Sequence, residues 1–176
     1  MTNSTPFRIA INGYGRIGQC VLRALYENGY RDHLQVVAIN ELSDIDTIAH
    51  LTKYDSTHGR FHGEVAVDGD NLVVNGDRIR VLRHPEPEEL PWRLLDVDLV
   101  LECSGAYSDR ATAEKHIEAG ARRLLFSQPG DPDVDRTVVF GINDGDLNGQ
   151  DVIVAAGSCT TNCLVPVIKV LDDAFG

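Results

Sequence analysis

FRIAINGYGRIGQCVLRALYENG, residues 7–29, joins a short β-prone run to a helical pattern through three glycines. Phe7–Asn12 reads as a strand. Ile17, Val21, Leu22 and Leu25 then recur at helical spacing, and Gly29 closes the helix. Between the two stand Gly13, Gly15 and Gly18 in G-x-G-x-x-G spacing. That spacing alone is common, but with a strand before it and an amphipathic helix after it, it has a mechanism. Gly13 permits the tight turn, Gly15 lets a pyrophosphate approach the backbone, and Gly18 lets the helix pack on the strand. The helix start then offers free N–H groups and partial positive charge to phosphate.

A second strand, LQVVAIN (Leu34–Asn40), is followed by Glu41, 23 residues past Gly18. A carboxylate there accepts hydrogen bonds from a ribose 2′-OH and repels a 2′-phosphate, which favours NAD over NADP. The plainer alternative is that Glu41 caps a solvated loop; the glycines beside it favour the ribose.

Farther on, Asp44 is placed to cap a helix over IDTIAHLTKY. Strand, helix, strand, helix is the order of a parallel sheet with crossovers. EVAVDGDNLVVNGDRIRVL (Glu64–Leu82) departs from it, with three β-prone pieces split by the hairpin signals DGDN and NGD. HPEPEELPW is a proline-broken connection. The parallel rhythm resumes with VDLVLECSG (Val97–Gly105), a helix from about Ser108 to Ala119 stopped by Gly120, and RRLLFS (Arg122–Ser127). RTVVFGIN and DVIVAA supply two more strands, and a last helix ends at Phe175 before Gly176. The expected fold class is α/β: a Rossmann-type, mostly parallel, doubly wound sheet with a small antiparallel excursion around 64–82.

The chain has 176 residues, 43% of them hydrophobic, and a net charge of −11. That is one domain with a real core and no sign of disorder. The charge argues against nucleic acid or an anionic membrane surface as partner, since both repel it. MTNSTPF shows neither a basic region nor an apolar run, so no secretory signal is expected, and no stretch reaches membrane-span length. Cys20, Cys103, Cys159 and Cys163 are scattered without a C-x-x-C pair, so neither a metal site nor a disulfide framework is expected. These features suit a reduced, cytoplasmic protein.

The segment GSCTTNC (Gly157–Cys163) lies between the strand DVIVAA and the last helix. Cys159 thus opens a helix whose dipole favours thiolate, the nucleophilic form. Backbone N–H groups beside it can stabilise an oxyanion, and Ser158, Thr160 and Thr161 offer hydroxyls to a phosphate or substrate oxygen. The plainer reading is a Ser158 N-cap beside an ordinary buried cysteine. Cys163, one turn later, is expected to pack rather than react.

INGYGRIG, KYDSTHGRF and SCTTNC together, in this order and spacing, resemble the glyceraldehyde-3-phosphate dehydrogenase family over essentially the whole chain. AINEL, HLTKYDSTHGRF, LPWRLLDVD and LFSQPG look most like the branch that oxidises D-erythrose 4-phosphate, with Glu41 where the glycolytic branch usually has Asp. The resemblance implies that Cys159 attacks a phosphorylated aldehyde, that hydride passes to NAD, and that water releases 4-phosphoerythronate, an early step toward pyridoxal phosphate. In the glycolytic branch phosphate takes the place of water. The resemblance implies that Arg16 and Ile17 meet the cofactor pyrophosphate, Glu41 the adenosine ribose and Ser127 the nicotinamide side. It also implies that Ser158 and Thr160 flank the substrate and that the parent enzyme is a homotetramer. One departure stands out: the family usually has an Arg reaching the cofactor near HPEPEE, where this chain has Pro85, with Arg83 as a nearby substitute.

Aldehyde oxidation by a thiol also needs a base. None of the six histidines lies near Cys159 in sequence. In the family the base and the phosphate grip belong to a second domain, so residues 1–176 are expected to be the NAD-binding domain, ending just after the cysteine helix, with the catalytic domain absent and the chain alone inactive. Three functions stay consistent with the residues: erythrose 4-phosphate oxidation, the glycolytic reaction, and a non-catalytic NAD-binding or redox-sensing module.

Overall fold

The computed structural model describes residues 5–176; residues 1–4, part of the MTNSTPF stretch read for a secretory signal, lie outside the described residues. Strands β1 (Phe7–Asn12) and β2 (Leu34–Asn40) have the bounds expected from their apolar runs, and helix α1 (Arg16–Glu27) joins them. Helix α2 (Ile45–Lys53) begins at Asp44, whose carboxylate accepts the Thr47 N–H at 2.8 Å. A small antiparallel hairpin follows, β3 (Tyr54–Asp55) with β4 (Gly59–Arg60).

Strands β5 (Val65–Asp68), β6 (Asn71–Val74) and β7 (Asp77–Leu82) form the expected antiparallel meander. Its second turn has positive φ at both Asn75 (49°) and Gly76 (89°), the twist that suits a two-residue hairpin. The meander does not stand apart, however. β7 pairs parallel with β2, so the excursion extends the main sheet. Leu72, Val74, Ile79 and Val81 are buried on the face shared with β1 and β2, which explains the docking.

The remaining elements are β8 (Leu99–Glu102), α3 (Arg110–Glu118), β9 (Arg123–Phe126), β10 (Arg136–Thr137), β11 (Ile153–Ala155) and α4 (Cys159–Phe175). The RTVVFGIN strand is shorter than expected. After Thr137 the chain turns, because the Asn143 side chain takes the Val139 N–H and the Ile142 N–H goes to the Val139 carbonyl instead of a neighbouring strand. Phe140 is left exposed.

The nine-stranded sheet runs β10-β11-β9-β8-β1-β2-β7-β6-β5. Alternation along β1 divides the core. Ile9 and Ile11 pack with Leu22, Leu25 and Ile48 of α1 and α2, while Ala10 packs on the other face with Trp92, Ala113 and Phe126. Helices on both faces of one mostly parallel sheet make the expected doubly wound α/β fold. Helix α4 differs from the rest: none of its residues is buried, and Leu164, Val167, Ile168 and Leu171 stay more than half exposed. Among the described residues, no helix is long and apolar enough to cross a membrane.

Candidate functional site

From β1 the chain crosses to β2 on one side, while β8 lies on the other and leads away to β9. The order therefore reverses between β1 and β8, and in such sheets ligands bind at the carboxyl ends of the strands beside that point. Two open cavities lie there, of about 320 and 420 Å³, and Gly15, Cys103 and Ser104 line both. Another cavity, of about 310 Å³, sits at the opposite strand ends beside Pro6 and Leu34, and neither the glycine turn nor Cys159 lines it.

The glycine turn is built as its spacing requires. Gly13 has φ +85°, and a Cβ there would fall 2.4 Å from the Ser104 backbone of the next strand's end. A Cβ at Gly18 would fall 2.4 Å from the Gly13 carbonyl. At Gly15 a Cβ would meet nothing within 4 Å and would stand in the cleft itself. Asp44, Asp109 and Ser158 cap α2, α3 and α4 with side-chain oxygens, but no side chain caps α1. Its first N–H groups face the cleft unpaired by a side chain, with no carboxylate in the first turn to oppose an anion.

Glu41 lines the smaller cavity. One carboxylate oxygen accepts the Tyr14 N–H at 2.9 Å, and the other accepts the Ser43 N–H and hydroxyl at 3.2 and 3.1 Å. The carboxylate thus braces the glycine turn as well as facing the cleft. Pro85 and His84 line the same cavity. Arg83 does not: its guanidinium turns to the Ser43 carbonyl and to Asp70, 3.4 and 3.5 Å away.

The larger cavity brings the two ends of the sequence together. Gly15, Arg16 and Ile17 line it from α1, Ser127 from the end of β9, and Ser158 and Cys159 from the start of α4. Ile17, counted with the helix's apolar stripe in sequence, is instead 49% exposed and faces this space. Cys159 is the first residue of α4 and is exposed. Ser158 caps the helix through the Thr161 N–H at 2.9 Å and exchanges hydroxyl contacts with Thr160 and Thr161 at 2.8 and 2.7 Å. The Asn162 amide donates to the Ala156 and Ser158 carbonyls, closing the strand-to-helix turn. Cys163 was expected to pack but is exposed, because α4 has no neighbour on that face. Cys103 between the cavities is buried, and burial pushes its thiol up to about 11. No histidine lines the larger cavity.

The sequence profile described as glyceraldehyde 3-phosphate dehydrogenase, NAD binding domain, matches residues 7–110. The chain belongs to the glyceraldehyde 3-phosphate dehydrogenase family. Its cofactor is NAD, and the domain is that of an NAD-dependent dehydrogenase acting on a small molecule. The cleft fits the cofactor: open space at Gly15, uncapped amides at α1, and a carboxylate at the end of β2.

Behind the family's cleft lies a polar group that sequence reading missed. Asn12 and Asn40, at the ends of β1 and β2, are buried, and the Asn40 amide donates to Asn12 Oδ1 at 2.7 Å and to the His84 carbonyl at 2.9 Å. Glu102, at the end of β8, is 1% exposed. It accepts hydrogen bonds from the Asn12 amide and from the Ser104 N–H and hydroxyl. Burial alone would raise its pKa, but contacts with His116, Ser104 and Asn12 outweigh it and hold the carboxyl below the usual range. The signal was present in LECSG, a glutamate inside an otherwise apolar strand.

Proposed function

We propose that the chain is the cofactor half of an enzyme oxidising D-erythrose 4-phosphate to 4-phosphoerythronate, in the route toward pyridoxal phosphate. The observation that carries this reading is Cys159 at a helix start in the cavity that Gly15, Arg16 and Ser127 also line. Arg16 and Ile17 would meet the NAD pyrophosphate with the α1 amides, Glu41 the adenosine ribose, and Ser127 the nicotinamide end.

In this reading the Cys159 thiolate adds to the aldehyde carbon, forming a C–S bond, and the carbonyl oxygen takes a proton. Ser158 and Thr160 hold substrate oxygens, and the first amides of α4 stabilise the developing oxyanion. Bound NAD supplies the acceptor for the hydride that leaves this carbon. The resulting thioester is cleaved by water, which returns the thiol and releases the acid. The base that takes the thiol and hydroxyl protons comes, in this proposal, from a second domain that also grips the substrate phosphate. The lack of a lining histidine and the apolar outward face of α4 both support that source.

The test follows NADH absorbance with erythrose 4-phosphate and with glyceraldehyde 3-phosphate, with and without inorganic phosphate. Both this chain alone and the chain joined to its proposed second domain are assayed. The expected result is phosphate-independent turnover of erythrose 4-phosphate by the joined form only, since a general base alone is worth about 10²–10⁴-fold. Preference for glyceraldehyde 3-phosphate plus phosphate would move the assignment to the glycolytic reaction. Clear turnover by the chain alone would place the base among its own histidines, with His50 and His58 the first to replace.

A further inference from the structure

Glu102 occupies a position that its burial makes costly. It is charged, 1% exposed and enclosed by β1, β8 and α3, yet it touches no solvent and none of the reacting groups. Behind it the Trp92 indole N–H donates to His116 Nδ1 at 3.0 Å, so the imidazole proton sits on Nε2. That Nε2 has no hydrogen-bond partner and stands 3.5 Å from Glu102 Oε2, too far for a good hydrogen bond but close enough to favour the carboxylate electrostatically.

In front, both oxygens of Glu102 are committed to the cleft. One holds Asn12, which holds Asn40, which takes both the N–H and the carbonyl of His84. The other holds Ser104, whose backbone leaves no room for a Cβ on Gly13. One carboxylate therefore ties together the ends of β8, β1 and β2 and the segment after β7, and Asn12, Ser104, Asn40 and His84 all line the smaller cavity. A core that needed only stability would do as well with an apolar side chain here, because a buried charge returns little net stabilisation.

We propose that Glu102, braced by His116 and Trp92, is a positioning residue for NAD. It fixes the Asn12–Asn40–His84 wall and the Ser104 backbone at the spacing the adenosine half of the cofactor needs, so its loss costs affinity beyond what it costs in folding. The inference rests on NAD occupying this cleft.

The test compares Glu102→Gln with the unmutated chain and with Leu72→Ala, a core truncation on β6 away from the cleft. NAD affinity is measured by calorimetry well below the unfolding midpoint of each. Glutamine keeps the shape but sets an amide donor against either Asn12 or Ser104. It should raise the NAD Kd about tenfold, the loss expected for one charge-assisted hydrogen bond. Leu72→Ala should lower the midpoint and leave Kd unchanged. An unchanged Kd in Glu102→Gln overturns the proposal. Should Glu102→Gln fail to fold, His116→Gln removes the brace and is read by the same two outcomes. Gly15→Val blocks the cleft itself; if NAD binds it normally, the site assignment fails rather than the role of Glu102.

Discussion

In the proposed reading Glu41 carries the choice between NAD and NADP, and its geometry gives it two tasks that one experiment can separate. It braces the Tyr14 N–H of the glycine turn, and it faces the cleft where the adenosine ribose would lie. Loosening the turn weakens both cofactors alike, whereas losing the ribose contact and its repulsion of a 2′-phosphate changes their ratio. Glu41→Ala should therefore raise the NAD Kd about tenfold and narrow the gap to NADP, both read by calorimetry. Equal or tighter NADP binding by the unmutated chain would contradict the assignment. The places of Glu41, the glycine turn and Cys159 beside the cleft were legible because each belongs to a spacing with a mechanism. Asn12, Asn40 and Glu102 were not, since their roles arise only when three strand ends that are remote in sequence meet.

Helix α1 shows what periodicity leaves out. Its pattern pointed to Ile17, Val21, Leu22 and Leu25, but the buried stripe includes Gln19 and Arg23, while Ile17 faces the cleft. Arg23 is 4% exposed, donates to the Gly59 and His58 carbonyls at 2.9 and 3.4 Å, and lies 5.7 Å from the centre of the Phe61 ring. The β3–β4 hairpin presents carbonyls to α1 that need a donor, and a long cation with an apolar stem supplies it. An apolar count cannot register that. Arg23→Ala should cost about 2–3 kcal/mol, because it removes charge-assisted hydrogen bonds and leaves carbonyls facing a void. Chemical denaturation reads it directly, and a loss under about 0.5 kcal/mol, the level of an ordinary surface substitution, would mean the hairpin is not held this way.

The strand–helix alternation was enough to read the doubly wound sheet, and the NG and DG turns were enough to read the meander. The parallel pairing of β7 with β2 was not legible, because nothing local distinguishes a separate hairpin from a sheet extension; shared burial of Leu72, Ile79 and Ile39 decides it. Only the family resemblance, and no local pattern, implied that the first glycine turn and the last helix, far apart in the chain, would share one cavity. On that sharing the functional account stands. The most direct test is the rate of Cys159 alkylation by iodoacetamide, followed by mass mapping of all four cysteines with and without saturating NAD. Cys159 should label quickly in the free chain and be slowed by NAD, whose nicotinamide end would enter the space that Gly15, Ser127 and Cys159 line. Exposed Cys163 should label at a rate NAD does not change, and buried Cys103 should hardly react. A Cys159 rate that is indifferent to saturating NAD would contradict the account, because thiol and cofactor would then occupy separate sites.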